Sequence, residues 1–169
     1  MKIVRTQNSD ITSVQQIYQE ARDYQLKTVG YGWSVFSKEF ILKEISEKRH
    51  YKAVDLYNEI TGVFSVVYSE PLIWDDYEGT KAIYLHRMAM KNRFRGSGFA
   101  KRIIEWAIIE AWKRKKNFIR IDTWANNQAL TDYYQKLGFK WVGKKQLPPT
   151  SDLPRHYNNI EVNLFEMKL

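Results

Sequence analysis

Apolar residues recur along this chain with two periods, and each switch between them marks a new element. "KIVRT" (2–6) reads as a short opening strand. Asp10 is placed to cap a helix, because Ile11, Val14, Ile17, Tyr18 and Ala21 follow at helical spacing. "GYGW" (30–33) interrupts the pattern, and Ser37 can cap a second helix to about Lys48 with Phe40, Ile41 and Ile45 on one side. "YKAVDL" (51–56) and "ITGVFSVVYS" (60–69) then read as strands around a hairpin turn at Tyr57, Asn58 and Glu59, with Gly62 suggesting a bulge.

"SEPLIWDDYEGTK" (69–81) reads as a loop, and "AIYLHRMAM" (82–90) as a central strand covered on both faces, since bulky residues run throughout it. A helix from about Gly98 to Lys115 carries the pairs Phe99/Ala100, Ile103/Ile104, Ala107/Ile108 and Ala111/Trp112, which predict one buried stripe. Lys113 to Lys116 complement the negative end of that helix, and Asn117 is expected as its left-handed stop. "FIRIDTW" (118–124) is a further strand, 126–139 a helix ended by Gly138, and 140–146 and 159–169 the last strands, separated by a proline-rich loop at 147–158. The order β-α-α-β-β-β-α-β-α-β-β predicts a mixed α/β domain, and no linker or repeat divides residues 1–169.

A hydrophobic fraction of 44% in 169 residues supports a packed core and argues against disorder. No apolar run approaches the roughly 18 residues of a membrane span, and "MKIVRTQNSD" lacks the pattern of a secretory leader. The absence of cysteine excludes disulfides and thiolate zinc sites and suits a cytoplasmic protein. The net charge of +8 is concentrated: between Lys91 and Arg120, ten basic residues face only Glu105 and Glu110, which accounts for the whole excess. An anionic partner is the physical suggestion.

The centre of that excess is "RFRGSGFAKR" (93–102), set between a strand and a helix N-terminus. The first turn of a helix leaves about four N–H groups unpaired and a partial positive charge. Gly96 and Gly98 let an oxygen approach the backbone, Ser97 offers a hydroxyl, and Arg95 and Lys101 add charge at the rim. A P-loop sequence is absent, and the dinucleotide fingerprint fails at Lys101, where a third glycine would stand.

"R-x-x-G-x-A" (Arg95 to Ala100), within "MAMKNRFRGSGFAKRII", resembles the acyl-CoA signature of the GNAT N-acetyltransferase superfamily, and "NQALTDYYQKLGF" (127–139) resembles a second segment of that family. Asn92 stands where the family often has proline, and Leu130 where it has a small residue. The strong similarity covers Ala82 to about Val142. It implies the GNAT acyl-CoA N-acyltransferase fold, a mixed central sheet of about six or seven strands flanked by about four helices. It also implies direct acyl transfer from acetyl-CoA to an amine, without a metal. Carried over, the pyrophosphate of acetyl-CoA rests on the backbone of Arg95, Gly96, Ser97, Gly98, Phe99 and Ala100, with Lys101 near, and the pantetheine arm pairs with the backbone of Met88 and Met90. Asn127 matches a position that reaches the cofactor, and Tyr134, rather than its neighbour Tyr133, matches a tyrosine proposed to protonate the leaving thiolate.

The general base is less sharply marked. His86 is a candidate whose side chain, sharing parity with Met88 and Met90, points either to the site or into a helix layer; Asp122 is the second. Glu70, Asp75 and Asp76 occupy a loop that could touch substrate, although solvated loop acids are the default. His50, beside Arg49, reads as a surface residue, and His156 in "LPRHYNN" as a loop residue with a substrate-facing alternative. The three histidines share no metal spacing. Trp33, Trp74 and Trp124 default to core packing, though Trp124 could line the site. The resemblance leaves the acceptor open, with a small-molecule amine favoured and a homodimer allowed. Two other readings compete: a non-catalytic acyl-CoA sensor on the same fold, and, ranked below it, a basic nucleic-acid-binding module, for which no named motif appears.

Overall fold

The computed structural model describes residues 1–75 and 81–169. The strands are β1 (Lys2–Arg5), β2 (His50–Val54), β3 (Ile60–Val67), β4 (Ala82–Met90), β5 (Phe118–Trp124), β6 (Lys140–Gln146) and β7 (Glu161–Lys168). They form a seven-stranded mixed sheet in the order β1-β2-β3-β4-β5-β7-β6. The helices are α1 (Ile11–Val29), α2 (Lys38–Ser46), α3 (Pro71–Trp74), α4 (Phe99–Lys113) and α5 (Gln128–Lys136). Two compact units emerge, each discontinuous in sequence: Met1–Val66 with His86–Trp106, and Val67–Leu85 with Ala107–Leu169.

In the first unit, β1 and β2 pair antiparallel from Lys2↔Val54 to Arg5↔Tyr51, and β2 and β3 continue the antiparallel run. The register passes from Ala53↔Gly62 to Val54↔Ile60, so Thr61 is the extra residue of a bulge beside Gly62. Gly62 has a second reason to be glycine. A Cβ there would lie 2.3 Å from the Phe99 ring and 2.6 Å from the Ala89 carbonyl. The hairpin is fixed by Asp55, whose carboxylate accepts from the N–H groups of Tyr57 and Glu59, each at 2.9 Å. Helix α2 is capped as expected, with the Phe40 N–H donating to Ser37 Oγ at 3.1 Å. Asp10, expected as a cap, makes no side-chain cap on α1. Its carboxylate instead accepts from the Gln7 N–H and from Lys52 Nζ, so a 3-10 turn over Asn8–Asp10 leads into α1. The apolar face of α1 meets α2 and the sheet through Val14, Ile17, Tyr18, Ala21, Phe36, Ile41, Val63 and Ala89. Truncating a fully buried member such as Ile17 costs about 2–5 kcal/mol.

In the second unit, β4 pairs in parallel with β5 from Ala82↔Phe118 to Tyr84↔Arg120, and β7 lies antiparallel between β5 and β6. The segment expected as a loop contains α3, with Pro71 at its first turn and Ile73 and Trp74 buried against Val67, Tyr84, Leu147, Val162 and Leu164. Arg120, counted with the basic excess, is 1% exposed. It pairs with Glu166, donates to the Tyr84 hydroxyl at 3.0 Å and lies over the Trp74 ring. The buried stripe of α4 stops short of expectation: Ala107 and Ala111 are buried, whereas Trp112 is 65% exposed. The helix ends through Lys115 at φ 54, with the Lys116 N–H donating to the Ala111 carbonyl. The left-handed stop is therefore Lys115 and not Asn117. Helix α5 is capped by Asn127 and followed by Gly138 at φ 94.

Candidate functional site

The glycine stretch forms a tight 3-10 turn over Asn92–Phe94 that leads into α4. Gly96 and Gly98 adopt φ 79 and 76, a conformation that side-chain-bearing residues rarely take. The Arg95 N–H donates to the Asn92 carbonyl and the Ser97 N–H to the Phe94 carbonyl, both at 3.1 Å. Among the described residues, the N–H groups of Gly96, Gly98, Phe99, Ala100 and Lys101 donate to no backbone carbonyl. Phe99 and Ala100 bury their side chains, so their contribution at this end is the backbone. The result is a row of unengaged donors at a helix N-terminus beside an exposed turn, the arrangement that receives a phosphate oxygen.

The cations around it have separate tasks. Lys91 and Arg93 both pair with Glu59, which ties the β4 exit to the β2–β3 hairpin. Arg95 donates through Nε to Asn92 Oδ1 at 2.9 Å, and its guanidinium carbon lies over the ring of Tyr24, 3.5 Å from the centroid. Glu20, one turn earlier on α1, accepts from the Asn92 N–H at 2.8 Å. Lys101 and Arg102 are exposed on the first turn of α4.

The second half of β4 leads directly into this turn. His86 is buried and Met88 and Met90 are half-buried, while the Ala89 side chain joins the α1/α2 core. Arg87 sits at φ 51 inside the strand. A left-handed residue breaks the two-residue alternation, so the shared parity of His86, Met88 and Met90 does not carry across it. The Arg87 guanidinium pairs with Glu44 of α2 at 2.5 Å, and Glu44 also accepts from Ser65 Oγ at 2.7 Å. Burial opposes ionisation of Glu44, but Arg87 and the Ser65 hydroxyl outweigh it and hold the carboxyl below its ordinary range. His50, expected at the surface, is 0% exposed. Its Nε2 meets the Tyr18 hydroxyl at 3.0 Å and its Nδ1 meets Thr6 Oγ1 at 2.8 Å. Burial lowers its pKa to about 4. Glu44 and Arg87 are absent from the sequence-derived site. A signal existed for Glu44: it is an acid on the apolar side of α2, three residues after Ile41.

In the second unit, Tyr134 is 9% exposed and packs on Phe139 and Phe165. Burial, with smaller effects from Tyr133 and Asp122, raises its pKa, so the phenol keeps its proton. Its hydroxyl has no hydrogen-bond partner among the described residues. Tyr133 is more exposed. Asn127 uses Oδ1 to accept the Leu130 N–H at 3.0 Å, as the cap of α5. Asp122, near the end of β5, accepts from the Tyr157 hydroxyl at 2.8 Å. His156 is half-buried between Tyr157 and Trp124, with ring centroids 4.7 and 6.1 Å away. Of the other aromatic candidates, Trp74 is core, and Trp33 is half-buried against Tyr18 and Phe36. Glu70 starts α3 through its carbonyl, Asp75 pairs with Lys145, and Asp76 lies outside the described residues. Among the described residues no cluster of acids and histidines is suited to a metal, and no helix is long and apolar enough to cross a membrane.

The donor row offers N–H groups and positive charge, which suit an anionic oxygen group, with Glu20 held on the Asn92 N–H beside it. Comparison with known proteins identifies the family. The profile of the acetyltransferase (GNAT) family matches residues 14–139. An uncharacterized N-acetyltransferase of Bacillus subtilis (strain 168), YesJ, is 35% identical over 71 residues, which span 42% of this chain and 39% of that protein. A GNAT-family acetyltransferase from Listeria monocytogenes superposes with a TM-score of 0.80 at 19% identity, covering 99% of this chain and 94% of the other. A ribosomal-protein-alanine N-acetyltransferase from Brucella melitensis does so at 0.68 and 17%, over the full length of both. The chain belongs to the GNAT acetyltransferase family.

Proposed function

We propose that this protein transfers the acetyl group of acetyl-CoA directly to a primary amine of a small-molecule acceptor. The observation that carries the proposal is the set of N–H groups of Gly96, Gly98, Phe99, Ala100 and Lys101, which among the described residues donate to no backbone carbonyl. These groups, with the Arg95 side chain and Lys101, hold the pyrophosphate, and the backbone of Met88 and Met90 receives the pantetheine arm. Acetyl-CoA supplies the acyl group as a thioester, already activated toward an amine. Tyr134 holds a proton on its phenolic oxygen across the working pH range and donates it to the departing thiolate. His86 takes the proton that the attacking amine must lose, so the N–C bond forms as the C–S bond breaks and no net proton is left over. Asn127, already engaged as a helix cap, contributes through its remaining amide group.

The sensor reading is disfavoured by Tyr134, a buried phenol whose hydroxyl has no hydrogen-bond partner among the described residues. The nucleic-acid reading is disfavoured because Lys91, Arg93 and Arg120 are engaged with carboxylates of the chain itself. The test is direct. The chain has no cysteine, so a thiol-reactive dye reports released CoA without background. Acetyl-CoA at about one hundred times its Kd stabilises the fold by roughly 2.7 kcal/mol, an upward Tm shift of several degrees. Absence of both the shift and amine-dependent thiol release overturns the proposal.

A further inference from the structure

A cleft of about 350 Å³ opens between α1 and the segment that follows it, lined by Gln15, Gln16, Gln19, Arg22, Ser34 and Val35 over a floor of Tyr18 and Phe36. That volume lies at the lower end of small-molecule sites. Among the described residues, no carboxylate lines it. Glu20 and Asp23, the acids of this stretch of α1, stand behind the lining and are bound by it: Glu20 accepts from Gln16 and from the Asn92 N–H, and Asp23 accepts from Gln19.

Among the described residues, Arg22 is the only cation in the lining. Its Nε donates to the Trp33 carbonyl at 3.0 Å, which fixes the guanidinium plane. Its two terminal nitrogens find no acceptor among the described residues. The Nη1/Nη2 edge of a half-buried guanidinium held in this way matches a carboxylate in two-point geometry. The neighbouring amides have the opposite polarity. Gln16 and Gln19 each spend the amide nitrogen on an acid, which leaves their carbonyl oxygens to accept from N–H donors.

We infer that this cleft binds the acceptor and selects a compact amine that also bears a carboxylate, with Arg22 taking the carboxylate and the glutamine carbonyls accepting from N–H groups. The inference rests on the acetyl-transfer reading only for the word acceptor; the binding preference stands apart from it. Diamines and longer polyamines are discriminated against, because a second ammonium at the carboxylate position would face the Arg22 guanidinium.

The experiment compares matched pairs, each a primary amine ending in a carboxylate or in the corresponding primary amide: glycine, β-alanine, glutamate and 6-aminohexanoate with their amides. 1,6-Diaminohexane is the dicationic control. Binding to the protein without coenzyme is read by ligand-observed NMR. At least one carboxylate is expected to bind about tenfold more tightly than its amide, a preference of about 1.4 kcal/mol. Arg22→Gln abolishes the preference and Arg22→Lys retains part of it. Val35→Glu, at a site 71% exposed, places a repelling charge in the cleft without touching the core and weakens carboxylate binding even if Arg22 variants fold poorly. Equal binding of acid and amide, a preference that survives Arg22→Gln and Val35→Glu, or no carboxylate binding at about 10 mM overturns the inference. A second arm adds acetyl-CoA. Carboxylate binding with neither thiol release nor an acetyl-CoA Tm shift removes the acetyl-transfer reading and keeps the cleft; thiol release that ignores the carboxylate keeps acetyl transfer and removes the cleft.

Discussion

The guanidinium carbon of Arg95 lies 3.5 Å from the centre of the Tyr24 ring. One residue belongs to the glycine turn and the other to α1, so a helix outside the signature orients a cation within it. A stacking contact of this kind contributes roughly 0.5–1 kcal/mol at an exposed site. Tyr24→Leu is expected to raise KM for acetyl-CoA about three- to fivefold with kcat unchanged, and Tyr24→Phe to restore it. Steady-state kinetics on the three proteins decide it; a fall in kcat with constant KM contradicts the assignment.

The Glu44–Arg87 pair joins α2 to a left-handed residue inside β4, and both side chains are nearly inaccessible. Removing one partner of such a pair leaves an uncompensated buried charge, which costs about 3–5 kcal/mol. Glu44→Gln is therefore expected to lower the urea midpoint sharply, while the Glu44→Gln, Arg87→Met double variant loses less than Glu44→Gln alone. Denaturation of the two variants beside the parent shows whether the coupling is present.

Tyr134→Phe separates chemistry from folding. The hydroxyl has no partner among the described residues, so its loss leaves Tm unchanged or slightly raised. Removal of the acid lowers kcat by about 100-fold, with acetyl-CoA affinity held within about twofold. Unchanged turnover takes Tyr134 out of the mechanism.

His50 makes stability depend on pH. Its folded pKa of about 4 lies below the ordinary 6.5, because burial penalises the charged ring more than Glu44 favours it. The unfolded state therefore binds the proton first on acidification. The contribution is complete above pH 6.5, declines as pH falls, and is lost by about pH 4. Its full size is about 3 kcal/mol. Glu44, whose pKa is also lowered, begins to contribute loss only below its ordinary value of 4.5. Unfolding free energies between pH 7 and 5 should fall in the parent and stay flatter in His50→Gln, which keeps one donor and one acceptor for Tyr18 and Thr6.

What the sequence disclosed follows from the range of each signal. Strands 82–90 and 118–124 were legible to the residue, because bulky side chains run unbroken between polar flanks. The glycine turn was legible because its chemistry is local: two glycines, a serine and a helix start within a few residues. His50 was misread because Arg49 beside it suggests solvent, whereas its partners Tyr18 and Thr6 lie 32 and 44 residues away in sequence. Arg120 was misassigned for the same reason, since Glu166 is 46 residues distant. Helix α3 spans only Pro71–Trp74, about one turn, and shows no period. The left-handed Arg87 left no trace, because arginine is not a residue that advertises that conformation.

The missing side chain at position 62 has a reach beyond the hairpin. Phe99 occupies the space a methyl group would fill, and Phe99 is the first residue of the helix whose amides face the proposed ligand. The hairpin thereby gauges how far that helix can settle. Gly62→Ala should weaken coenzyme binding although it lies outside the donor row, and Phe99→Leu in the same protein should recover only part of it, because the Ala89 carbonyl still lies 2.6 Å from the added Cβ. A designer who repurposes this scaffold must treat the two positions as one choice.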